Sequence, residues 1–118
     1  MLIDTPEAEA PDAAAFWAAA LGARAEPDPD QGQFTVLHGA LPGTVAAVQA
    51  VDDAPRYHID IETDDVEAET ARLVALGARQ VTQWLECQVL RAPGGHLLCV
   101  IPVHTDREFF DSHATTWP

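Results

Sequence analysis

Apolar positions along the chain alternate between a strand-like and a helix-like period, and the sequence of changes runs through twice. Leu2 to Thr5 reads as a short strand that Pro6 restricts to an edge or an end. Pro11 stands where a helix places its first residue. Ala13, Phe16, Trp17, Ala20 and Leu21 follow at i, i+3, i+4, i+7 and i+8, which is one helical face. Gly22 suits the C-terminal cap of that helix. Strands are then predicted at Ala23 to Glu26, Phe34 to His38 and Thr44 to Val51, the last two joined by a turn at Pro42-Gly43. The order is β-α-β-β-β.

The second half repeats it. Arg56 to Thr63 alternates, with His58, Asp60 and Glu62 on one face and Tyr57, Ile59 and Ile61 on the other. Asp64 with Glu67 three residues on has the form of a capping box. Val66, Thr70, Leu73 and Leu76 form the buried stripe of a helix that Gly77 ends. Strands are predicted at Arg79 to Trp84, Cys87 to Arg91 and Leu97 to Val103, with a turn at Pro93-Gly94-Gly95 before the last. The two halves share a literal repeat, since Ala20-Leu21-Gly22-Ala23-Arg24 recurs 55 residues later as Ala75-Leu76-Gly77-Ala78-Arg79. Self-similarity at a fixed period is the mark of a duplicated unit. The expectation is one α+β domain over residues 1–118. It holds a module at about 1–54, a second at about 55–103, and a tail at 104–118 whose Phe109, Phe110 and Trp117 pack onto the domain or a partner subunit.

Composition narrows the chemistry. The chain has 118 residues, 47% of them apolar, enough to bury a core. The longest apolar stretches fall short of a membrane span. The segment Met1 to Glu7 lacks the basic start and long apolar run of a signal peptide, so the expected setting is cytoplasmic. Cys87 and Cys99 read as reduced thiols. The net charge is −13 and all six basic residues are Arg. Nucleic acid is therefore not an expected partner, whereas cationic small molecules are attracted. The Ala-rich, Lys-free composition fits a high-GC bacterial genome.

His58 is the sharpest candidate for chemistry. It shares a strand face with two carboxylates, Asp60 and Glu62, and the opposite face, Ile59 and Ile61, looks built to pack against helices. An imidazole on the open face ligates a metal or moves a proton. Trp84, Trp17 and Phe34 are candidates to wall a binding surface. His38, His96, His104 and His113 lack the pairwise spacing of metal motifs, and Pro93-Gly94-Gly95 is not a phosphate loop.

Phe16-Trp17 followed by Leu21-Gly22, then His58-Ile59-Asp60-Ile61-Glu62-Thr63-Asp64-Asp65, then Leu73 to Ala78, then Ala92-Pro93-Gly94-Gly95, resembles the glyoxalase/bleomycin-resistance/dioxygenase superfamily, in its bacterial glyoxalase-like branch. The resemblance runs to about Val103. It implies the vicinal oxygen chelate fold, with two β-α-β-β-β modules forming a curved, mostly antiparallel sheet around a cleft, usually in a homodimer. It also implies a metal held by one residue from the first and last strand of each module.

His58 matches the ligand that opens the second module. The first-module position falls near Leu2, which has no donor atom, with Asp4 displaced on the same strand face. The last strand of the first module offers Gln49, or Ala47 one pair away, and the last strand of the second puts Cys99 where a Glu is usual. The metal set to weigh is thus His58, Gln49 and Cys99. It suits Mg²⁺, Mn²⁺ or Fe²⁺ poorly, while Zn²⁺ accepts an imidazole and a thiolate. The expected protein binds a small molecule in the cleft with a degraded metal site and no cofactor. Gln49, Trp84 and Cys99 would then contact the ligand, and His58, Asp60 and Glu62 would carry any acid–base work. The alternatives are a metal-dependent lyase, isomerase or dioxygenase of the superfamily, and a drug-sequestering resistance protein.

Overall fold

The computed structural model describes residues 1–118, in an α+β fold of eight strands and three helices. The chain divides into two compact units, Met1–His58 and Ile59–Pro118. No helix is long and apolar enough to cross a membrane.

In the first unit β1 (Leu2–Pro6) leads through a 3-10 turn, Glu7–Glu9, into α1 (Ala10–Leu21). Proline sits in the first helical turn, and Gly22 ends the helix at φ 65°, a backbone conformation that a side chain disfavours. The strands β2 (Arg24–Pro27), β3 (Phe34–His38) and β4 (Ala47–Val51) follow. The sheet order is β2-β3-β4-β1, with β1 parallel to β4 and the other pairs antiparallel. The first residues of β5 (Arg56–Thr63) pair antiparallel with β1, Leu2 opposite His58.

The second unit has the same order under duplication. The remainder of β5 runs parallel to β8 (Leu97–Pro102), and β7 (Cys87–Arg91) and β6 (Arg79–Trp84) extend the sheet antiparallel as β5-β8-β7-β6. Between β5 and β6 lies α2 (Val66–Ala75). The repeated Leu-Gly-Ala-Arg segments occupy equivalent places, each running from a helix end into an outer strand.

One sheet face of each unit is covered. Ile3, Leu37 and Val48 pack with Ala14 of α1, while Leu90, Val100 and Ala78 pack with Val66 and Leu73 of α2. Strand alternation then puts Leu2, Asp4, Ala47 and Gln49 on the helix-free face of the first unit. In the second unit it puts Asp60, Glu62, Cys99 and Ile101 there.

Several expectations need correction. Phe16 is not in the buried stripe of α1; it is 63% exposed, edge-on to Trp17, and the helix packs through Ala10, Ala13, Ala14, Trp17 and Ala18. In so Ala-rich a helix several faces are apolar, and the fit against the sheet chooses among them. Ile59 is 59% exposed because α2 lies over β8 and β7, not over β5. The cap of α2 is Asp65, whose Oδ1 accepts the Ala68 amide at 2.9 Å, one residue later than the Asp64 the motif indicated. Leu76 lies beyond the helix end and is exposed. The strand expected from Thr44 starts at Ala47, because Leu41 and Thr44 close a turn ahead of it. The tail contains a further helix, α3 (Arg107–His113), capped by Asp106, and Arg72 stacks over the Trp117 ring at 4.3 Å.

Candidate functional site

The site grows from β1 and β5. Because Ile3 turns into the α1 core, its neighbours Leu2 and Asp4 face the other way. Asp4 is 2% exposed, and a carboxylate so buried needs partners. Its Oδ2 accepts from Arg56 Nε at 3.1 Å and lies 2.9 Å from His58 Nδ1. Arg56 continues the chain of charge to Asp53, with Nη1 2.9 Å from Oδ2. That bridge, after the Ala54 amide, holds the Asp53 carboxyl below its usual range. With a carboxylate accepting at Nδ1, the imidazole carries a proton there and its ring orientation is fixed. The second oxygen of Asp4, Oδ1, is buried without a hydrogen-bond partner.

In the second unit Asp60 stands beside Cys99 in the parallel pair of β5 and β8, and Cys99 stands opposite Val89 of β7. Glu62 is beside Ile101, and Cys87 pairs with Trp84 at the far edge. This face therefore passes from carboxylates on β5, across the half-buried Cys99, Ile101, Val89 and Cys87, to an indole that is 55% exposed. Burial pushes the Cys87 thiol up, and the charges of Asp60 and Glu86 add to the shift. Glu62 is engaged by the tail: its carboxylate accepts the Thr105 amide at 3.0 Å and the Thr105 hydroxyl at 2.6 Å.

The register exposes a correspondence between the units. Asp4 pairs with Gln49 as Asp60 pairs with Cys99, so each unit sets an aspartate of its first strand beside the donor of its last. His58 precedes Asp60 on the same strand face, and one donor atom each from His58, Asp60 and Cys99 lie within 4.8 Å of one another. Trp84 shares the face of Asp60 and Cys99, with β8 and β7 between.

The donors present do not fit a four-residue hard-metal site. Leu2, opposite His58, is buried and has no donor. Gln49 offers a neutral carbonyl, Cys99 a sulfur, and the Asp4 carboxylate is already shared between a guanidinium and an imidazole. The sequence reading placed Asp4 on the right face and missed its partnership with His58. The signal was there in the opposed strand starts, Leu2-Ile3-Asp4 against Arg56-Tyr57-His58, which an antiparallel pairing brings together.

Comparison with known proteins agrees with this fold. Residues 1–101 match the family model of the Glyoxalase-like domain. The crystal structure of methylmalonyl-CoA epimerase from Mycobacterium tuberculosis is similar at a TM-score of 0.50 and 20% identity, covering 87% of this chain and 85% of that one. The 2,2',3-trihydroxybiphenyl 1,2-dioxygenase of Sphingomonas wittichii aligns at a TM-score of 0.52 and 12% identity, over 92% of this chain but 42% of its own. TnmS3, an antibiotic binding protein from Streptomyces, aligns at a TM-score of 0.33 and 20% identity, covering 87% of this chain and 93% of that one. None of the curated proteins compared with the chain matches it. The chain belongs to the glyoxalase-like domain family, within the glyoxalase/bleomycin-resistance/dioxygenase superfamily.

Proposed function

We propose that this protein binds a small molecule with an apolar, planar body and a cationic group on the helix-free face of its second unit, without a hard metal ion. The observation that carries the reading is the gradient across that face, from Asp60 over Cys99 and Val89 toward Cys87 and Trp84. A half-buried apolar sheet surface with few polar groups at one end is the usual chemistry of a ligand site. Carboxylates select a cation, the net charge of −13 attracts it, and the indole stacks on its ring. His58, oriented by Asp4, adds a hydrogen-bonding and proton-accepting group beside Asp60. Gln49, opposite Asp4, is the corresponding polar contact of the first unit.

The test is titration with proflavine, a planar aromatic cation, against acridine, a similar ring system uncharged above neutral pH. Proflavine binds more tightly, and Asp60→Asn and Trp84→Ala each weaken it by about tenfold, the size of a lost ionic or stacking contact. Equal affinity for the two compounds, or indifference to both substitutions, overturns the reading.

A second reading rests on the His58, Asp60 and Cys99 donors. Imidazole, carboxylate and thiolate form a set that Zn²⁺ accepts, and would make the protein a metal-dependent lyase or isomerase, since redox-inert zinc does not serve a dioxygenase. One equivalent of zinc per chain, lost in Cys99→Ser, supports it.

The reading includes a symmetric homodimer. Its support is β6, an outermost strand whose six residues are all exposed and which leads into Leu85, a non-glycine residue at φ 53° with its side chain in solvent. Exposed strand edges invite pairing. Sedimentation at tens of micromolar then reports twice the chain mass, and a particle of 12.7 kDa contradicts it.

A further inference from the structure

We propose that the C-terminal tail is a releasable strap at the ligand face of the second unit. Thr105 occupies the Glu62 carboxylate in place of a cationic group of the ligand, so a dication displaces it and a monocation does not. The inference rests on the reading that a cation binds the helix-free face of this unit. It adds the ligand class, two cationic groups on one body, and the residue that competes with the second of them.

Glu62 lies two residues after Asp60 on β5 and shares its face. One residue takes both of its oxygens: Oε1 accepts the Thr105 amide at 3.0 Å and Oε2 accepts the Thr105 hydroxyl at 2.6 Å. These donors are neutral, so they satisfy the carboxylate's hydrogen bonding and leave its charge uncancelled. Asp60 places a second negative charge about 7 Å along the strand, two residues of rise. An ammonium group at Glu62 makes the bonds that Thr105 makes and cancels the charge as well, and such charge-assisted bonds are the stronger kind.

The tail is tied lightly enough to yield. Thr105 lies in the irregular stretch between β8, which ends at Pro102, and α3, which begins at Arg107. α3 makes only sparse contact with the strands and helices of the unit. Several of its side-chain contacts are internal, Arg107 to Asp111 and the Phe109 ring on His113. Segments with few packed contacts and exposed ties open at the lowest cost. Farther on, the Trp117 ring lies 4.3 Å from the guanidinium of Arg72, which Glu69 holds in place. That second tie is on α2, which covers the other sheet face, so the chain end stays attached when Thr105 leaves Glu62. Ligand and strap compete for the same oxygens, and weakening one strengthens the other by the same factor.

The experiment titrates the full chain with benzylamine and, separately, with 1,4-bis(aminomethyl)benzene, which adds a second ammonium across the ring. Affinities and hydrogen exchange of the Thr105 amide are read by NMR. The expected result is about tenfold tighter binding of the dication, the size of one charge-assisted contact. The dication speeds exchange at Thr105 and benzylamine does not. Thr105→Val, which keeps the amide and loses the hydroxyl, tightens the dication several-fold and leaves benzylamine unchanged. Glu62→Gln brings the two affinities together. Unchanged exchange at Thr105 with the dication bound, or equal gains for both compounds in Thr105→Val, overturns the strap. If binding still depends on Asp60 in that case, the reading of a cation site stands without it. Binding of neither compound overturns both.

Discussion

Asp4 holds His58 across the antiparallel start of β1 and β5, its Oδ2 2.9 Å from the imidazole Nδ1. The pair unites residues 54 apart in sequence, and the carboxylate is almost wholly out of water. Replacing it with a neutral amide removes a charge-assisted bond to the imidazole and another to Arg56. Asp4→Asn is expected to cost roughly 1–3 kcal/mol of stability, the range for breaking a buried hydrogen-bonded network. A double-mutant cycle with His58→Ala should show coupling of about 0.5–3 kcal/mol, as residues in contact do. Urea denaturation of the four proteins measures both, and additive costs would show that the contact contributes nothing.

Much of this was legible in the sequence because strands and turns announce themselves locally. The bounds of β3, β5, β6 and β7 follow from alternation between turn residues, and the duplicated Leu-Gly-Ala-Arg segments foretold the repeated strand order. Two things were not local. The face α1 buries depends on which of its alanines fits the sheet, so Ala14 is buried while Phe16, which the spacing puts on one face with Trp17, stays in solvent. The partner of His58 depends on a pairing across half the chain, so the two carboxylates on its own strand, Asp60 and Glu62, drew attention that belonged also to Asp4. Glu62 shows the same limit, since only the folded tail brings Thr105 to it.

The packing difference gives a prediction. Leu90 is fully buried at the centre of the second core, while Phe16 is mostly in solvent. Leu90→Ala should cost about 2–5 kcal/mol, the range for a large-to-small change that leaves a cavity. Phe16→Ala should cost less than about 1 kcal/mol, as exposed substitutions do, although periodicity alone ranks it a core residue. Denaturant midpoints at constant slope decide between them, and a larger loss for Phe16→Ala would overturn the assigned face.

Glu69 and Arg72 predict an acid-sensitive step. Glu69 lies buried on α2, its two oxygens accept from Arg72 Nε at 2.8 Å and Nη2 at 2.7 Å, and this pairing holds its carboxyl below the ordinary value of 4.5. A depressed folded pKa means the unfolded chain binds the proton more readily. The contribution is therefore complete above the unfolded value and is lost as pH falls through the folded one. Glu69→Gln should be less stable than the parent by roughly 1–3 kcal/mol at pH 7, and the gap should close on acidification below about pH 4.5. Thermal unfolding from pH 7 to pH 3 tests this. A gap that stays constant rules out the charged pair as its source.

Cys87 reports on the charge of Asp60. Its thiol is raised by burial and further by Asp60 and Glu86, so less thiolate exists at any given pH than in an ordinary cysteine. Iodoacetamide should therefore modify Cys87 more slowly than a model thiol at pH 8, and Asp60→Asn should speed it by lowering the pKa. Peptide mass spectrometry resolves Cys87 from Cys99. No change in Asp60→Asn would mean the carboxylate does not act on this part of the sheet face.

The donor set predicts that the protein does not hold Fe²⁺, Mn²⁺ or Ni²⁺ in the superfamily's four-residue manner. Charge and ligand count set the affinity of hard divalent ions. Here the place opposite His58 is Leu2, the first-unit partner is the neutral Gln49, and the last strand brings a thiol at Cys99. Asp4, the carboxylate that the first unit adds, is held by Arg56, whose positive charge opposes a cation beside it. Protein purified without chelator should contain well under one equivalent of these metals per chain by elemental analysis, and EDTA should leave both its melting temperature and its proflavine affinity unchanged. Zinc is the informative exception, since His58, Asp60 and Cys99 would suit it. Near one equivalent of iron, manganese or nickel, lost on His58→Ala, would overturn the argument from ligand chemistry and restore a metalloenzyme.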